Sequence, residues 1–320
     1  MYRLFSFLKP HKKLLIALSI VNVLLSGMLT IAPLVTKAIV DDVIAKQQLN
    51  LLLPYLILLL AVMGVRAATT YFYSYGQNKL GQLVMTDVRA ALYQKLLILP
   101  YSFYDKEQTG RLMSRVSSDV ESTRIFLSQI LIESMSHGLT IILTAIAFAL
   151  QDGLLALIAI VPIAISGLGM FFAHRELRSP WAAQHERLAK MSATLQDSLA
   201  GIKVVKAFAQ EEQEQDKFDT VQIAVRSGNL NINDQWNKRW VLIGSLPRLM
   251  QLGLIFVGGY RVMDGTISLG TLVAVLSLSL LLLGAVNGLG SQLNSFSQTA
   301  TAAVRIFELL DEPVTIQSHP

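Results

Sequence analysis

Residues 266–304 read TISLGTLVAVLSLSLLLLGAVNGLGSQLNSFSQTATAAV, thirty-nine positions without a charged side chain. At 1.5 Å per residue a helix of that length runs about 58 Å, roughly twice the ~30 Å hydrocarbon layer of a bilayer. The stretch therefore predicts a spanning helix, placed at 269–297, that continues beyond the membrane on one side. Asn287, Ser291, Asn294, Gln298, Thr301 and Arg305 recur in it every three or four positions and make one polar stripe. Val286, Leu289, Leu293 and Phe296 lie on the other side. Such a stripe is costly against lipid, so it is expected to face water or protein. For Asn287 and Ser291 a substrate pathway is expected, and for Gln298 onward an extension outside the membrane.

Working outward, residues 14–36, 51–75, 125–150, 154–173 and 241–260 are also apolar enough and long enough to span. The composition agrees. Hydrophobic residues make up 52% and charged residues 15%, with a mean hydropathy of +0.49, against about 25% charged in soluble domains. The net charge of +5 does not imply nucleic acid, because the basic residues sit between the apolar runs rather than on one aromatic-lined face. Four Lys or Arg precede the first span, seven lie in the loop 76–124, ten in the loop 174–240 and one after the last span. The three short loops 37–50, 151–153 and 261–265 hold only three. By the positive-inside rule both termini and both long loops are expected in the cytoplasm.

The long loops read as helix. Leu80, Leu83, Val84, Val88, Ala91, Leu92 and Leu96 in the first, and Leu188, Met191, Leu195, Leu199, Ile202 and Val205 in the second, recur at helical spacing. Pro100 ends the first run. Each loop is thus expected to be a helical hairpin projecting from the membrane, reversing near 104–111 and 209–215. The fold class is all-α: six long transmembrane helices with helical extensions. There is no cysteine, and no grouping of His, Asp, Glu and Ser suggests a metal or catalytic centre, so neither is expected in this chain.

At the reversals the sequence resembles a known family. Ser102-Phe-Tyr-Asp-Lys-Glu-Gln-Thr-Gly-Arg111, Ser198-Leu-Ala-Gly-Ile-Lys-Val-Val-Lys-Ala-Phe-Ala-Gln-Glu-Glu212 and Arg305-Ile-Phe-Glu-Leu-Leu-Asp-Glu-Pro313 look like corresponding segments of ABC exporters of the multidrug and lipid-flippase type. The resemblance implies a half-transporter that pairs as a domain-swapped dimer, homodimeric or heterodimeric. It implies a coupling helix at Gln108, Thr109, Gly110 and Arg111, and a second at Phe208, Ala209, Gln210, Glu211 and Glu212, docking on nucleotide-binding domains. It further implies an elbow helix over residues 1–10, a transmembrane domain over 1–310 and a linker over 311–320. The phosphate-binding loop Gly-x-x-x-x-Gly-Lys-Ser/Thr is absent from these 320 residues. ATP and Mg are therefore expected on a further domain or a separate chain, with no cofactor in this one. The implied activity is ATP-driven export of amphipathic drugs or lipids; an ATP-independent channel, receptor or scaffold is the alternative.

Charges inside a bilayer are expensive and point to function. Arg66, Glu133 and Arg248 all fall in the inner half of the membrane. Either the arginines line a cavity attracting anionic head groups, or Glu133 forms a structural ion pair with one of them. His137 lies one turn beyond Glu133 on the same face. The candidate cavity set is Arg66, Glu133, His137, Arg248, Asn287, Ser291 and Asn294. Pro33, Pro162 and Pro247 lie inside spans and are expected to kink them. Tyr71, Phe72, Tyr73 and Tyr75 fit either drug contacts or an interfacial belt.

Overall fold

The structure, a computed structural model, describes residues 2–105 and 107–314, without the side chains of Tyr2, Leu293, Asn294, Ser297 and Gln298. Among the described residues there are six long helices and no strand. A 3-10 helix, Tyr2–His11, leads into α1, Lys12–Ala38, which widens into a π-helical turn at Ile39–Ala45. The others are α2, Leu52–Ile98; α3, Thr109–Gln151; α4, Gly153–Ala200; α5, Glu211–Met263; and α6, Leu269–Asp311. All six contain a stretch long and apolar enough to cross a membrane. Residues 315–320 of the expected linker lie outside the described residues.

The helix ends follow from local chemistry. α2 stops where Leu99 turns extended ahead of Pro100, since the proline ring disfavours helical geometry in the residue before it. Asp152 starts α4 by accepting the amide hydrogen of Leu155 at 3.0 Å, and Ser268 starts α6 by accepting that of Thr271 at 3.0 Å. α3 carries two π-helical stretches, Arg115–Asp119 and Phe126–Ile130. Pro33, Pro162 and Pro247 lie inside α1, α4 and α5, and each helix continues on both sides of its proline.

The contacts divide the chain into two compact units, Met1–Ile160 with Gln251–Pro320, and Val161–Met250. In the first, one apolar core runs from the helical extensions into the adjoining ends of the spans. Leu80, Val84, Val88 and Leu92 of α2 are each 0% exposed, packed with Val120, Phe126 and Leu127 of α3 and Ile306 of α6. Leu4 and Leu8 of the N-terminal helix complete that cluster. In its part outside the spans, water is available to drive burial. Within the spans small or weakly polar residues, Ser26 and Thr30 of α1, Thr140 and Thr144 of α3 and Ser279 of α6, are buried beside large apolar ones such as Phe148, Leu155, Leu254 and Leu278. Lipid offers no hydrophobic drive between helices, so the small and weakly polar positions contribute by letting helices approach closely.

The second unit is an antiparallel helical hairpin that keeps one register along its length. Ser166 donates to the carbonyl of Ile243, Gln184 to that of Val225, and Ser198 to the carboxylate of Glu214, while Arg239 pairs with Glu176. Gly228 leaves room for Gln184 and Arg187. The apolar face expected at Leu188, Leu195 and Leu199 remains exposed in the unit.

Candidate functional site

Two of the predicted site residues, Glu133 and His137, lie on α3 where it packs against α6. Ser134 Oγ is in close contact with Gln292 Oε1 and also lies 2.7 Å from the Ile130 carbonyl, and Gln292 Nε2 donates to Glu133 Oε2 at 3.2 Å. One turn on, the His137 ring lies over Gly288: a Cβ there would stand 2.3 Å from His137 Nε2. Only glycine admits the imidazole at that approach. Asn287 and Ser291 flank this seam on α6 and are exposed. The side chain of Asn294 lies outside the described residues.

Arg66 is exposed on α2 and forms no ion pair with Glu133 or with any other described acid of its unit. Arg248 belongs to the second unit, exposed on α5, and likewise has no acidic partner within it. The carboxylate that the sequence left open to ion pairing is thus met, within its own unit, by a neutral amide. Tyr73 accepts a hydrogen bond from Asn22 Nδ2 at 2.9 Å, and the same amide reaches the carbonyl of Ile132 at 3.1 Å. Asn22 thereby joins α1 to α2 and α3, whereas Tyr71, Phe72 and Tyr75 are exposed.

The first reversal has Gln108 extended at the start of α3, with Thr109, Gly110 and Arg111 in its first turn and Glu107 3.5 Å from Arg111. At the second, Gly201 interrupts the helix and a short helix forms at Ile202–Ala207, ahead of the expected position. Phe208, Ala209 and Gln210 make the turn, with Ala209 at φ 51°, and Glu211 and Glu212 open α5. The left-handed backbone at Ala209 is what ends the short helix there.

Three further polar contacts escaped the sequence reading. Asp119, 3% exposed, accepts two hydrogen bonds from Arg305, at 2.8 Å from Nε and 2.5 Å from Nη2; this contact holds the Arg305 guanidinium above its ordinary pKa. Arg3 makes the same bidentate contact to Asp311 and lies 4.3 Å over the Phe307 ring. At the opposite end of the spans Asp41 accepts from Ser268 Oγ at 2.6 Å and the Gly270 amide at 2.8 Å. Beside it Asp42 bonds Lys46 and Tyr55, so both carboxylates in this cleft of about 530 Å³ already have partners. Matched acids and bases far apart in sequence give no local signal, which is why spacing could not find them. No cluster of His, Asp or Glu suited to a metal occurs among the described residues.

Six long apolar helices that run on as paired stalks, with a polar seam inside the spans, define a multi-pass membrane domain. The model of the ABC transporter transmembrane region matches residues 15–286, and the chain belongs to that family. An uncharacterized ABC transporter ATP-binding protein of Bacillus subtilis is 26% identical over 318 residues, 99% of this chain and 54% of its own length. A multidrug efflux ATP-binding/permease protein of Mycobacterium bovis is 30% identical over 289 residues, covering 89% of this chain and 24% of that protein. An ATP-dependent lipid A-core flippase of Syntrophus aciditrophicus is 27% identical over 325 residues, 97% of this chain and 51% of its own. The chain spans about half the length of the first and third of these relatives.

Proposed function

We propose that this chain is the substrate-binding and translocating part of an ATP-driven exporter of amphipathic drugs or lipids. It lies in a plasma (inner) membrane with both termini in the cytoplasm, and works with a second half-transporter and with nucleotide-binding domains that hold ATP and Mg. The observation that carries the reading is the seam of α3 and α6. Glu133, His137, Asn287, Ser291 and Gln292 place five polar groups inside apolar spans, where lipid would not tolerate them and an aqueous pathway would. Gln108 to Arg111 and Phe208 to Glu212 stand at the tips of the stalks, positioned to receive a push from a nucleotide-binding domain. Moving the stalks would turn the seam from one side of the membrane to the other, and cargo moves because its affinity differs between the two states.

The test is transport in proteoliposomes carrying the chain with an ATP-binding part. Uptake of a lipophilic dye that requires ATP, and that falls at least about tenfold in Phe208→Ala with dye binding retained, supports the reading. Ion conductance without nucleotide would mean a channel instead.

A further inference from the structure

The charge that the polar seam selects follows from the same geometry. We propose that Glu133 makes the seam a recognition site for a positively charged head group, an amine or quaternary ammonium carried on an apolar body. This rests on the export reading and sharpens it to a substrate class.

Of the 22 acidic residues in the chain, Glu133 is the one carboxylate inside the six apolar spans. An ionised carboxylate there is costly unless something answers its charge. Within its own unit, one neutral donor does so, Gln292 Nε2 on Oε2. Oε1 has no hydrogen-bond partner among the described residues of the unit, and no lysine or arginine of the unit pairs with it. The residue is exposed rather than packed away. Gln292 presents its amino group to the carboxylate. That orientation suits an acceptor and leaves the remaining oxygen open to a second donor.

The flanking groups, Asn287 and Ser291, are uncharged and exposed, and no lysine or arginine among the described residues of the unit pairs with the site. Met135, 51% exposed two positions further along α3, offers a polarisable surface for an apolar body. A cation meeting a carboxylate away from bulk water gains far more than the same pair in solution. Arg66, by contrast, stands on α2 without an acidic partner among the described residues of its unit, so the arginine-based expectation of anionic head groups makes the opposite prediction.

The experiment uses the full chain in nanodiscs with three probes of similar shape, tetraphenylphosphonium, tetraphenylborate and neutral triphenylphosphine oxide, each corrected for binding to empty discs. The expected result is that Glu133→Gln weakens tetraphenylphosphonium binding at least about tenfold and leaves the neutral probe within about twofold, with Glu133→Asp intermediate. Arg66→Ala is expected to leave the cationic probe unchanged. Equal loss of all three probes in Glu133→Gln would make Glu133 a structural residue and overturn the proposal. So would unchanged tetraphenylphosphonium binding, or a wild-type preference for tetraphenylborate lost in Arg66→Ala. If the wild type binds none of the three, the export reading fails together with this one; if it binds all three regardless of charge, only this one falls.

Discussion

At the scale of single residues, the positions that matter most inside the spans are those where two helices come closer than a side chain allows. Gly288 admits the His137 ring, and Gly270 admits a backbone group: a Cβ at 270 would stand 2.4 Å from the Lys37 carbonyl oxygen and 2.6 Å from Asp41 Oδ1. A main-chain carbonyl cannot swing aside as a side chain does, so α6 and α1 would have to separate. Gly270→Ala is expected to lower stability by about 1–3 kcal/mol. Gly284→Ala, with nothing within 4 Å of its Cβ, is expected to stay within about 0.5 kcal/mol of the wild type. Thermal unfolding of both variants in the same detergent checks this, and equal midpoints would show that the close approach carries no cost.

At the scale of elements, α6 acts as the member to which the stalk end is fastened. Asp119, which closes the first π-helical stretch of α3, holds Arg305. Arg3 of the N-terminal helix holds Asp311 at the far end of α6, and His11 approaches Asp87 of α2 at 2.8 Å. The hydrogen bonds from Arg3 keep the Asp311 carboxyl below its usual range. A carboxyl whose pKa is lowered on folding contributes stability above its unfolded value, and that contribution disappears as pH falls through the lowered one. The N-terminal helix is therefore expected to stay docked at neutral pH and to loosen below about pH 4. Hydrogen exchange of residues 3–10, corrected for the intrinsic rate, reads this directly. Protection should fall in acid in the wild type and be low at both pH values in Asp311→Asn. Protection independent of pH would mean that Leu4 and Leu8, not the ion pair, hold the helix.

For the whole molecule, the distribution of exposed surface states what is still required of its surroundings. The most apolar window of α2 has none of its residues buried, with Leu60 at 68% and Leu53 at 65% exposed. That face suits lipid or a second copy. The face of α6 bearing Asn287 and Ser291 does not suit lipid. Because the chain has no cysteine, a single introduced thiol reports on each face. Ser291→Cys is expected to react with a membrane-impermeant maleimide applied from the stalk side, while Leu60→Cys reacts only with a lipid-soluble one. The reverse pattern would place the polar stripe against protein and remove the aqueous pathway.

The sequence by itself determined six spans, the helical stalks and the polar stripe of α6. Each is written in a local pattern: the length of an apolar run, three- and four-residue spacing, a proline at 100. It also marked Glu133 and His137, because a titratable group inside an apolar run stands out at once. Tertiary structure alone decided what those groups meet. Glu133 finds Gln292, 159 positions away, Asp119 finds Arg305, and the short helix of the second reversal forms at Ile202–Ala207 rather than after Phe208. The physical reason is that an ion pair or an amide contact depends on which helices lie side by side and in what register. That is fixed by small residues such as Gly288, whose importance lies in the neighbour they admit and leaves no periodic trace.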